Sequence, residues 1–436
     1  MTQLVILDEA PRLHDNPLLN CLCQGDWVLL RTPTEQTRQA QLKRELLAQF
    51  AAVLRQFGYQ VTAQPANSAN EIIAIAESLQ CQQLVMAEPV AHYELQLVKA
   101  LQASGMPIQL DDVNGLLRDN LRPELASLPP SYSQFRRLRE PALATSPTQP
   151  ARYQAAPLAP RQSDTDVAFG PAELSARLLD ERWWLQQVER YVAGPMRHYK
   201  DSRNGLLGRD FASFFSTPLA LGLLSIRQLY QRILHVEQQQ GENPSSQWLR
   251  YELWWREYFR WVGRKEGHRL FTGLARHPTP PTVHQDLQQQ HLRAWQAGRT
   301  GVPLVDANMR LLAQTGLISN RGRQLVASYL VFDLGVDWRL GARWFEQQLL
   351  DYDCASNYGN WAYLSGALYS PARWFNQLKQ AYEYDRDGTF VTAMLPELLQ
   401  HKPAGMARHQ PYVGELGLPF DRRWYEYLQH ADAGLV

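Results

Sequence analysis

Two different hydrophobic periods divide this chain. In its first 115 residues, short apolar runs such as Leu4–Leu7, Trp27–Leu30 and Leu84–Met86 alternate with segments whose apolar residues recur at helical spacing. Beyond about residue 175 only the helical period remains, and 12 of the 13 tryptophans lie after position 180. The first pattern predicts a parallel, Rossmann-like α/β sheet, and the second predicts an all-α domain.

Prolines separate the two parts. They recur between Pro129 and Pro171 among Ser, Thr, Ala and Gln, which predicts a connector without helices. We therefore expect a Rossmann-like domain over 1–128, a linker over 129–175 and an all-helical domain over 176–436. In the last part, helices are predicted over Leu219–Val236, Trp248–Gly263, Ala307–Thr315, Gln324–Leu334, Trp338–Tyr352 and Trp374–Tyr382.

Composition limits the class of protein. The chain of 436 residues is 45% hydrophobic and 20% charged, which excludes a disordered or fibrous protein. Its four cysteines are too few and too scattered for a disulfide framework or a zinc site. There is no apolar run of membrane-spanning length, no secretory pattern, and neither GxGxxG nor GxxxxGK[ST]. We expect a reduced, cytoplasmic protein without a metal, a P-loop or a membrane segment.

Positive charge is concentrated in the helical part. The net charge is only +1, but the window from Pro195 to Phe345 contains 20 basic and 11 acidic residues. A basic face of this kind suits phosphates, as in nucleic acid. A solvated helical surface would produce the same count, so charge alone leaves both interpretations open.

A helix face in the segment Trp248–Phe259 combines a carboxylate with aromatic rings. Helical spacing puts Glu252, Trp255 and Arg256 on one side. The functional interpretation is a pocket wall with an aromatic plate for a base and a carboxylate for its edge. An amphipathic helix with a surface salt bridge is the alternative on this segment alone.

Three further clusters of polar and aromatic residues share the helical part. Asp351–Tyr363 holds two Asp, two Asn and four aromatic residues where helical periodicity fails. Its amides and carboxylates suit the edge of a heterocycle, and a structural loop rich in caps is the alternative. The guanidinium groups of the segment Asn320–Arg323 and of Arg310 suit phosphates or a buried carboxylate. Tyr199–Arg203 and Ser213–Ser216 offer hydroxyl and N–H groups for a pyrophosphate. Together they would serve one large cofactor.

Several motifs carry a resemblance to a known family, and they run through nearly the whole chain. They are Arg12–Pro17, Tyr199–Gly205, Trp255–Arg260, Gly298–Arg310, Ser319–Gln324, Asp337–Arg339 and Asp351–Trp361. With these motifs the chain resembles the photolyase/cryptochrome family, and above all its cryptochrome DASH branch. The resemblance implies an α/β antenna-type domain joined by the linker to an all-α domain that binds a U-shaped FAD.

The resemblance also implies the residues that hold this FAD. It assigns cofactor binding to Tyr199, Arg203, Ser213, Phe214, Phe215, Ser216, Arg256, Asn320, Arg323, Asp351, Asp353 and Asn357. Arg323 is expected to pair with Asp351. Asn357 falls near the flavin N5, where an amide has no proton to release, which favours the anionic reduced flavin. Phe214 departs from the family, which carries a Lys there.

The implied activity is light-driven repair of cyclobutane pyrimidine dimers, in single-stranded DNA above all, by electron transfer from excited FADH⁻. This makes the expected enzyme a deoxyribodipyrimidine photo-lyase, a carbon–carbon lyase. Glu252 would hydrogen-bond the dimer and Trp255 would pack on the thymines. Tyr363, where other photolyases carry a Trp, and Arg310 complete the expected substrate-binding residues.

Photoreduction in the family uses three tryptophans. Trp361 and Trp338 match the flavin-proximal and middle members, but the segment His284–Asp286 contains no distal Trp. The alternatives to repair are therefore a blue-light photoreceptor that signals with little repair, or a flavoprotein that binds nucleic acid without turnover. The resemblance also admits a folate antenna, methenyltetrahydrofolate, and a monomer is expected.

Overall fold

A computed structural model describes residues 2–118, 121–144, 179–208, 212–274, 282–400 and 404–412. The chain forms two compact units. The first comprises Met1–Lys200, Ser213–Leu270 and Leu350–Ser356. The second comprises Asp201–Ala212, Phe271–Leu349 and Asn357–Val436.

The first unit contains a sheet of five parallel strands in the order β3-β2-β1-β4-β5. These strands are β1 (Gln3–Ile6), β2 (Trp27–Arg31), β3 (Gln60–Gln64), β4 (Gln83–Ala87) and β5 (Ile108–Asp111). Its register sets Val5 of the central strand opposite Val28 on one side and Val85 on the other. The predicted Rossmann-like sheet is confirmed.

Helices make up most of the remaining described structure. In chain order they are α1 (Pro17–Asn20), α2 (Arg38–Gln56), α3 (Ala69–Ser78), α4 (His92–Ala103), α5 (Tyr132–Ala144), α6 (Glu181–Ala193), α7 (Tyr199–Ser202), α8 (Ser216–Ala220), α9 (Ile226–Gln240), α10 (Pro244–Glu266), α11 (Arg269–Thr272), α12 (Gln285–Gln296), α13 (Pro303–Thr315), α14 (Asn320–Ser328), α15 (Trp338–Gln348), α16 (Cys354–Ser365), α17 (Gln377–Tyr384) and α18 (Thr389–Met394). A π-helix follows α14 at Tyr329–Asp333, and 3₁₀ turns cover Pro195–His198, Pro396–Gln400 and Gly405–His409. The helical second part predicted from sequence is confirmed.

Helices cover the sheet on both faces. Since successive side chains of a strand point to opposite faces, each strand contributes to two hydrophobic clusters. Val5 and Leu7 pack with the buried side chains of α2, among them Phe50. Leu4 and Ile6 pack on the opposite face with the buried side chains of α3 and α4. Helix α4 was not predicted from the sequence. Its apolar residues join this second cluster.

Helix α10 is the longest of the described helices in the first unit and carries the predicted pocket wall. It begins after Asn243, whose side chain accepts the backbone N–H groups of Ser245 and Ser246 in a capping box. Pro244 occupies the first turn, where its missing N–H is not needed. It ends at Gly267, which has a φ of 55°. These signals fix the length and register of the helix.

The single helix expected over Leu219–Val236 is wrong, because the chain breaks between α8 and α9. Gly222 lies in the break with a φ of 76°. A Cβ there would be 2.3 Å from the carbonyl oxygen of Glu9, so this turn needs glycine. Ser225 then caps α9 by accepting the backbone N–H of Gln228.

The expectation that prolines prevent helices in the 129–175 segment is wrong for its first part, where α5 forms. Pro141 lies inside this helix, near its end. Phe135 of α5 is almost completely buried and meets Trp254 edge-on at 5.9 Å, so tertiary packing outweighs the local effect of proline. The remainder, 145–175, lies outside the described residues, and the domain boundaries stay predictions.

The segment Asp351–Tyr363, where helical periodicity fails, is helical from Cys354 onward, where α16 begins, so a structural loop is excluded there. Asp353 stabilises its first turn by accepting the backbone N–H of Ser356 at 2.8 Å. Apolar or small residues on several sides of this helix are buried, including Ala355, Tyr358, Trp361, Ala362 and Leu364. A helix buried on several sides has no amphipathic period, which explains why the sequence pattern missed it.

Candidate flavin and DNA-binding residues

In the first unit, α10 presents Glu252 and Trp255 one turn apart, both half-buried. The Glu252 carboxylate accepts the indole N–H of Trp248 at 3.2 Å, which fixes its position along the helix. The Trp255 ring stacks on Tyr132 of α5, with ring centroids 3.7 Å apart and planes 8° from parallel. A fixed carboxyl group and an oriented aromatic plate therefore share one helix face, as predicted from their spacing.

Arg256 is a largely buried cation on the same helix. Its guanidinium donates to the backbone carbonyl of Asn114 at 2.8 Å and lies 3.5 Å from the Asp353 carboxylate. Burial lowers the pKa of Arg256. Burial opposes ionisation of Asp353 too, but the charges of Arg256 and Arg260 outweigh it and lower the pKa of Asp353. The predicted residues Arg256 and Asp353 thus lie together as an ion pair.

The segment before α8 has the backbone form of an anion site. Phe214 has a φ of 56°, in the left-handed region that few non-glycine residues adopt. Phe215 follows in the right-handed helical region, and its N–H lies 3.4 Å from the hydroxyl of Ser213. Successive N–H groups in such a pair of conformations form a concavity that binds anions. Tyr199 of the same unit is buried, and Asp351 is buried as well.

In the second unit, Trp361 and Trp338 are both buried. The Trp361 ring lies edge-on to Phe345 at 5.2 Å and to Trp295 at 6.2 Å, measured between ring centroids. Trp338 opens α15, where the Asp337 side chain accepts the N–H of Arg339. His284–Asp286, at the start of α12, contains no third tryptophan.

Asn357, also in the second unit, is buried in α16. Its amide nitrogen donates to the backbone carbonyl of Ala342 at 2.9 Å, which fixes the orientation of the amide. Asn320 is exposed in the first turn of α14. Arg323 donates to the carbonyl of Ile318 at 3.1 Å. Its pairing with Asp351 stays a prediction.

The two predicted substrate residues of the second unit each interact with a charged partner. Arg373 donates to the Tyr363 hydroxyl at 2.6 Å and lies over its ring, 4.6 Å from the centroid. Arg310 forms an ion pair with Glu397 at 2.6 Å.

The predicted cofactor residue Arg203 lies in the same unit and acts on Arg321. The charge of Arg203 adds to burial in lowering the pKa of Arg321.

Among the residues that contact the predicted site, Tyr132 is one that sequence reasoning missed. It lies in the segment taken for a linker, far from Trp255 along the chain, and no local motif marks it. In the described residues, no three His, Cys, Asp or Glu side chains gather as metal ligands. None of the described helices combines the length and the apolar character needed to cross a bilayer.

Residues 248–416 match the family model described as the FAD binding domain of DNA photolyase. The cryptochrome DASH of Gloeobacter violaceus is 36% identical over 393 residues, which cover 86% of this chain and 78% of the relative. That of Synechocystis sp. is 47% identical over 283 residues, 61% of this chain and 55% of the relative. A solved cryptochrome of Synechocystis sp. has a TM-score of 0.78 at 32% identity, covering 94% of this chain and 91% of that one.

A parallel α/β unit, a helical unit and the matched FAD-binding domain define a flavoprotein of the photolyase/cryptochrome class. Within that class, the chain belongs to the cryptochrome DASH family.

Proposed function

We propose that this protein is a light-dependent photolyase that splits cyclobutane pyrimidine dimers in DNA, preferably single-stranded DNA. The observation that carries the proposal is the pair Glu252 and Trp255 on one face of α10, with the carboxylate fixed by Trp248 and the indole by Tyr132. An aromatic plate binds a base by stacking, and a carboxyl group one turn away can reach the base edge. The family supports FAD as the cofactor.

The first unit contains groups that suit the phosphates of FAD. The left-handed conformation of Phe214 followed by Phe215 in the helical region gives an anion-binding concavity, and Ser213 and Ser216 flank it with hydroxyl groups. We assign these residues and Tyr199 to the pyrophosphate. The residues assigned to the rest of the cofactor are Arg203, Arg256, Asn320, Arg323, Asp351, Asp353 and Asn357.

A reduced flavin held by these residues would supply light-driven one-electron chemistry, which can open the two carbon–carbon bonds of a dimer. The chain provides position and electrostatics. A hydrogen bond from the Glu252 carboxyl group to a pyrimidine carbonyl would stabilise the negative charge that grows there after the electron arrives. Trp255 stacks on the dimer and excludes water from that face. Asn357, an amide, has no proton to release toward the cofactor.

The proposal is tested with the Glu252→Gln and Glu252→Ala variants. Each is loaded with FAD and mixed with oligonucleotides containing one dimer, and repair per absorbed photon is measured under blue light and in the dark. Removing a hydrogen-bond donor that points at a charge developing during the reaction commonly costs about 3 kcal/mol of stabilisation of that charge. Glu252→Gln keeps an N–H donor and should lose part of the yield, whereas Glu252→Ala should lose more.

Glu189→Ala is the matched control, because Glu189 is an exposed carboxylate of the first unit that pairs with Arg232. It should repair dimers like the wild type. Equal yields for wild type and Glu252→Ala would remove Glu252 from the mechanism. No light-dependent repair by the wild type would refute the proposal.

The second candidate function is a blue-light photoreceptor that signals and repairs little. The observation that favours it is the absence of a tryptophan from the described part of the His284–Asp286 segment, which leaves the expected reduction path without its distal member. A wild type that binds FAD and responds to light but leaves dimers intact would support this candidate.

The proposal also includes a methenyltetrahydrofolate antenna, a monomeric protein and a cytoplasmic location. An absorption spectrum of the purified protein tests the antenna, since a folate adds absorption that FAD alone does not show. Size-exclusion chromatography with light scattering tests the monomer. Fractionation of the producing cells tests the location.

A further inference from the structure

Tyr132 of α5 lies flat against Trp255 of α10. The ring centroids are 3.7 Å apart and the planes are 8° from parallel, so the two rings lie face to face. The Tyr132 hydroxyl donates to the backbone carbonyl of Tyr251 at 2.8 Å. The phenol is thus held at two points, by its ring and by its hydroxyl group.

Other contacts keep this pair in place. Phe135, one turn further along α5, is buried and lies 5.5 Å from Tyr258, measured between ring centroids. Tyr258 lies edge-on to Trp255 at 5.9 Å, and Phe259 lies 5.4 Å from Trp255 with its plane tilted by 30°. The buried ring of Phe135 anchors α5, so Tyr132 cannot move aside to let the Trp255 side chain change its rotamer. The Trp255 indole is therefore held in one orientation.

A cation–π interaction also links α5 to α10. Arg136, one turn after Tyr132, lies over the Tyr251 ring with 3.8 Å between the guanidinium carbon and the ring centroid. Its guanidinium donates to Glu140 at 2.8 Å. The first turns of α5 are therefore held against α10 by several contacts.

We infer that Tyr132 is a positioning residue of the DNA site: it covers one face of the Trp255 indole and fixes the plane on which a pyrimidine stacks. This inference rests on the proposed function, since it assigns Trp255 to base binding. A plate that is already ordered loses no side-chain freedom when the base arrives, so more of the stacking energy appears as affinity. A base then stacks on the part of the indole that Tyr132 leaves uncovered.

The test compares Tyr132→Ala with Tyr132→Phe. The phenyl ring of Tyr132→Phe keeps the stack and loses the hydroxyl bond, whereas Tyr132→Ala loses both. Affinity is measured by fluorescence anisotropy with a labelled single-stranded oligothymidylate, with and without one cyclobutane dimer. Tyr93→Ala, which removes an exposed tyrosine of the same unit, is the matched control. Thermal unfolding and bound flavin per chain show whether each variant is folded and loaded.

We expect Tyr132→Ala to weaken binding of the dimer oligonucleotide about fivefold, from the value of one aromatic stack. Tyr132→Phe and Tyr93→Ala should stay within about twofold of the wild type. Repair yield per photon at saturating DNA should be unchanged in Tyr132→Ala. Tyr132 orients the Trp255 indole, which changes the affinity for DNA but not the electron transfer to the bound dimer. A residue that only stabilises the fold would lower the melting temperature and leave the affinity of the folded fraction unchanged.

Wild-type affinity in Tyr132→Ala, or a tighter complex, overturns the inference. Equal loss in Tyr132→Phe and Tyr132→Ala overturns it too, because the ring would then be irrelevant. Failure of the proposed function gives a different result: a wild type that binds the oligonucleotides but repairs nothing refutes repair, while the order of the two variants still decides the role of Tyr132. A wild type that binds neither oligonucleotide refutes both.

Discussion

At the scale of single residues, Gly341 determines how closely α15 approaches Trp361. A Cβ at this position would lie 2.3 Å from the Cη2 atom of the Trp361 indole and 2.5 Å from a methyl carbon of Leu330. The indole and Leu330 are both buried, so neither can move without displacing its neighbours. Glycine is needed here for space, since its backbone lies in an ordinary helix.

We therefore expect Gly341→Ala to lower the free energy of unfolding by about 1–3 kcal/mol, the usual cost of overpacking a core. Urea denaturation followed by circular dichroism measures it. Phe lacks the outer ring of the indole, so the double variant Gly341→Ala/Trp361→Phe should lose less than the sum of the two single variants. Strict additivity would show that the two side chains do not meet.

At the scale of secondary-structure elements, a buried ionic network ties α10 to the loop that follows β5. Asp112 of the loop accepts hydrogen bonds from Arg260 at 2.9 Å and from Arg264 at 2.8 Å. Glu257 is fully buried and accepts the backbone N–H of Leu116 at 2.8 Å. Burial alone would raise the pKa of Asp112, but the two guanidinium groups outweigh it and hold that pKa far below its ordinary value.

Asp112→Asn should destabilise the protein by about 3–5 kcal/mol at pH 7, because Arg260 and Arg264 would keep their buried charges and both lose their nearest counter-charge. The pKa is lower in the folded state, so the stabilisation is present above the ordinary carboxyl pKa and is lost as pH falls. The difference between wild type and variant should therefore narrow below about pH 5. Denaturant unfolding from pH 7 to pH 3 measures it, with Asp111→Asn as the neighbouring control. A constant difference would contradict the network.

The same elements show what could be read from the sequence. The strands of the sheet were predicted because a parallel sheet buried on both faces reads as short apolar runs. Glu252 and Trp255 could be placed together because both lie on one helix, where spacing fixes the face. Tyr132 could not be found, since its stack on Trp255 depends on how α5 packs against α10. The helix α16 was missed because it is buried on several sides and shows no periodicity.

At the scale of the whole molecule, the distribution of charge matters more than its sum. A net charge of +1 predicts little attraction to a polyanion, but the window from Pro195 to Phe345 carries 20 basic and 11 acidic residues. Part of this charge is already compensated inside the protein, as with Arg260 and Arg264 at Asp112. The cations that remain near the surface are the ones that can contact the phosphates of the proposed substrate.

Binding of a dimer-containing oligonucleotide should therefore weaken as salt rises, with a slope of log K against log salt of about −0.7 for each phosphate contacted on a single strand. Arg310→Gln should reduce the slope by about one such unit if Arg310 leaves Glu397 for a phosphate, whereas Arg232→Gln, which removes another ion-paired arginine, should not. Duplex DNA with the same dimer should bind more weakly, because taking the dimer out of the stack costs a few kcal/mol. Anisotropy titrations from 50 to 200 mM salt, on single strands and duplexes in parallel, measure both effects. Equal affinity for single strands and duplexes would mean that contacts with the second strand repay the free energy spent on extruding the dimer. The proposed preference for single-stranded DNA would then be wrong, whereas the proposed repair activity would stand.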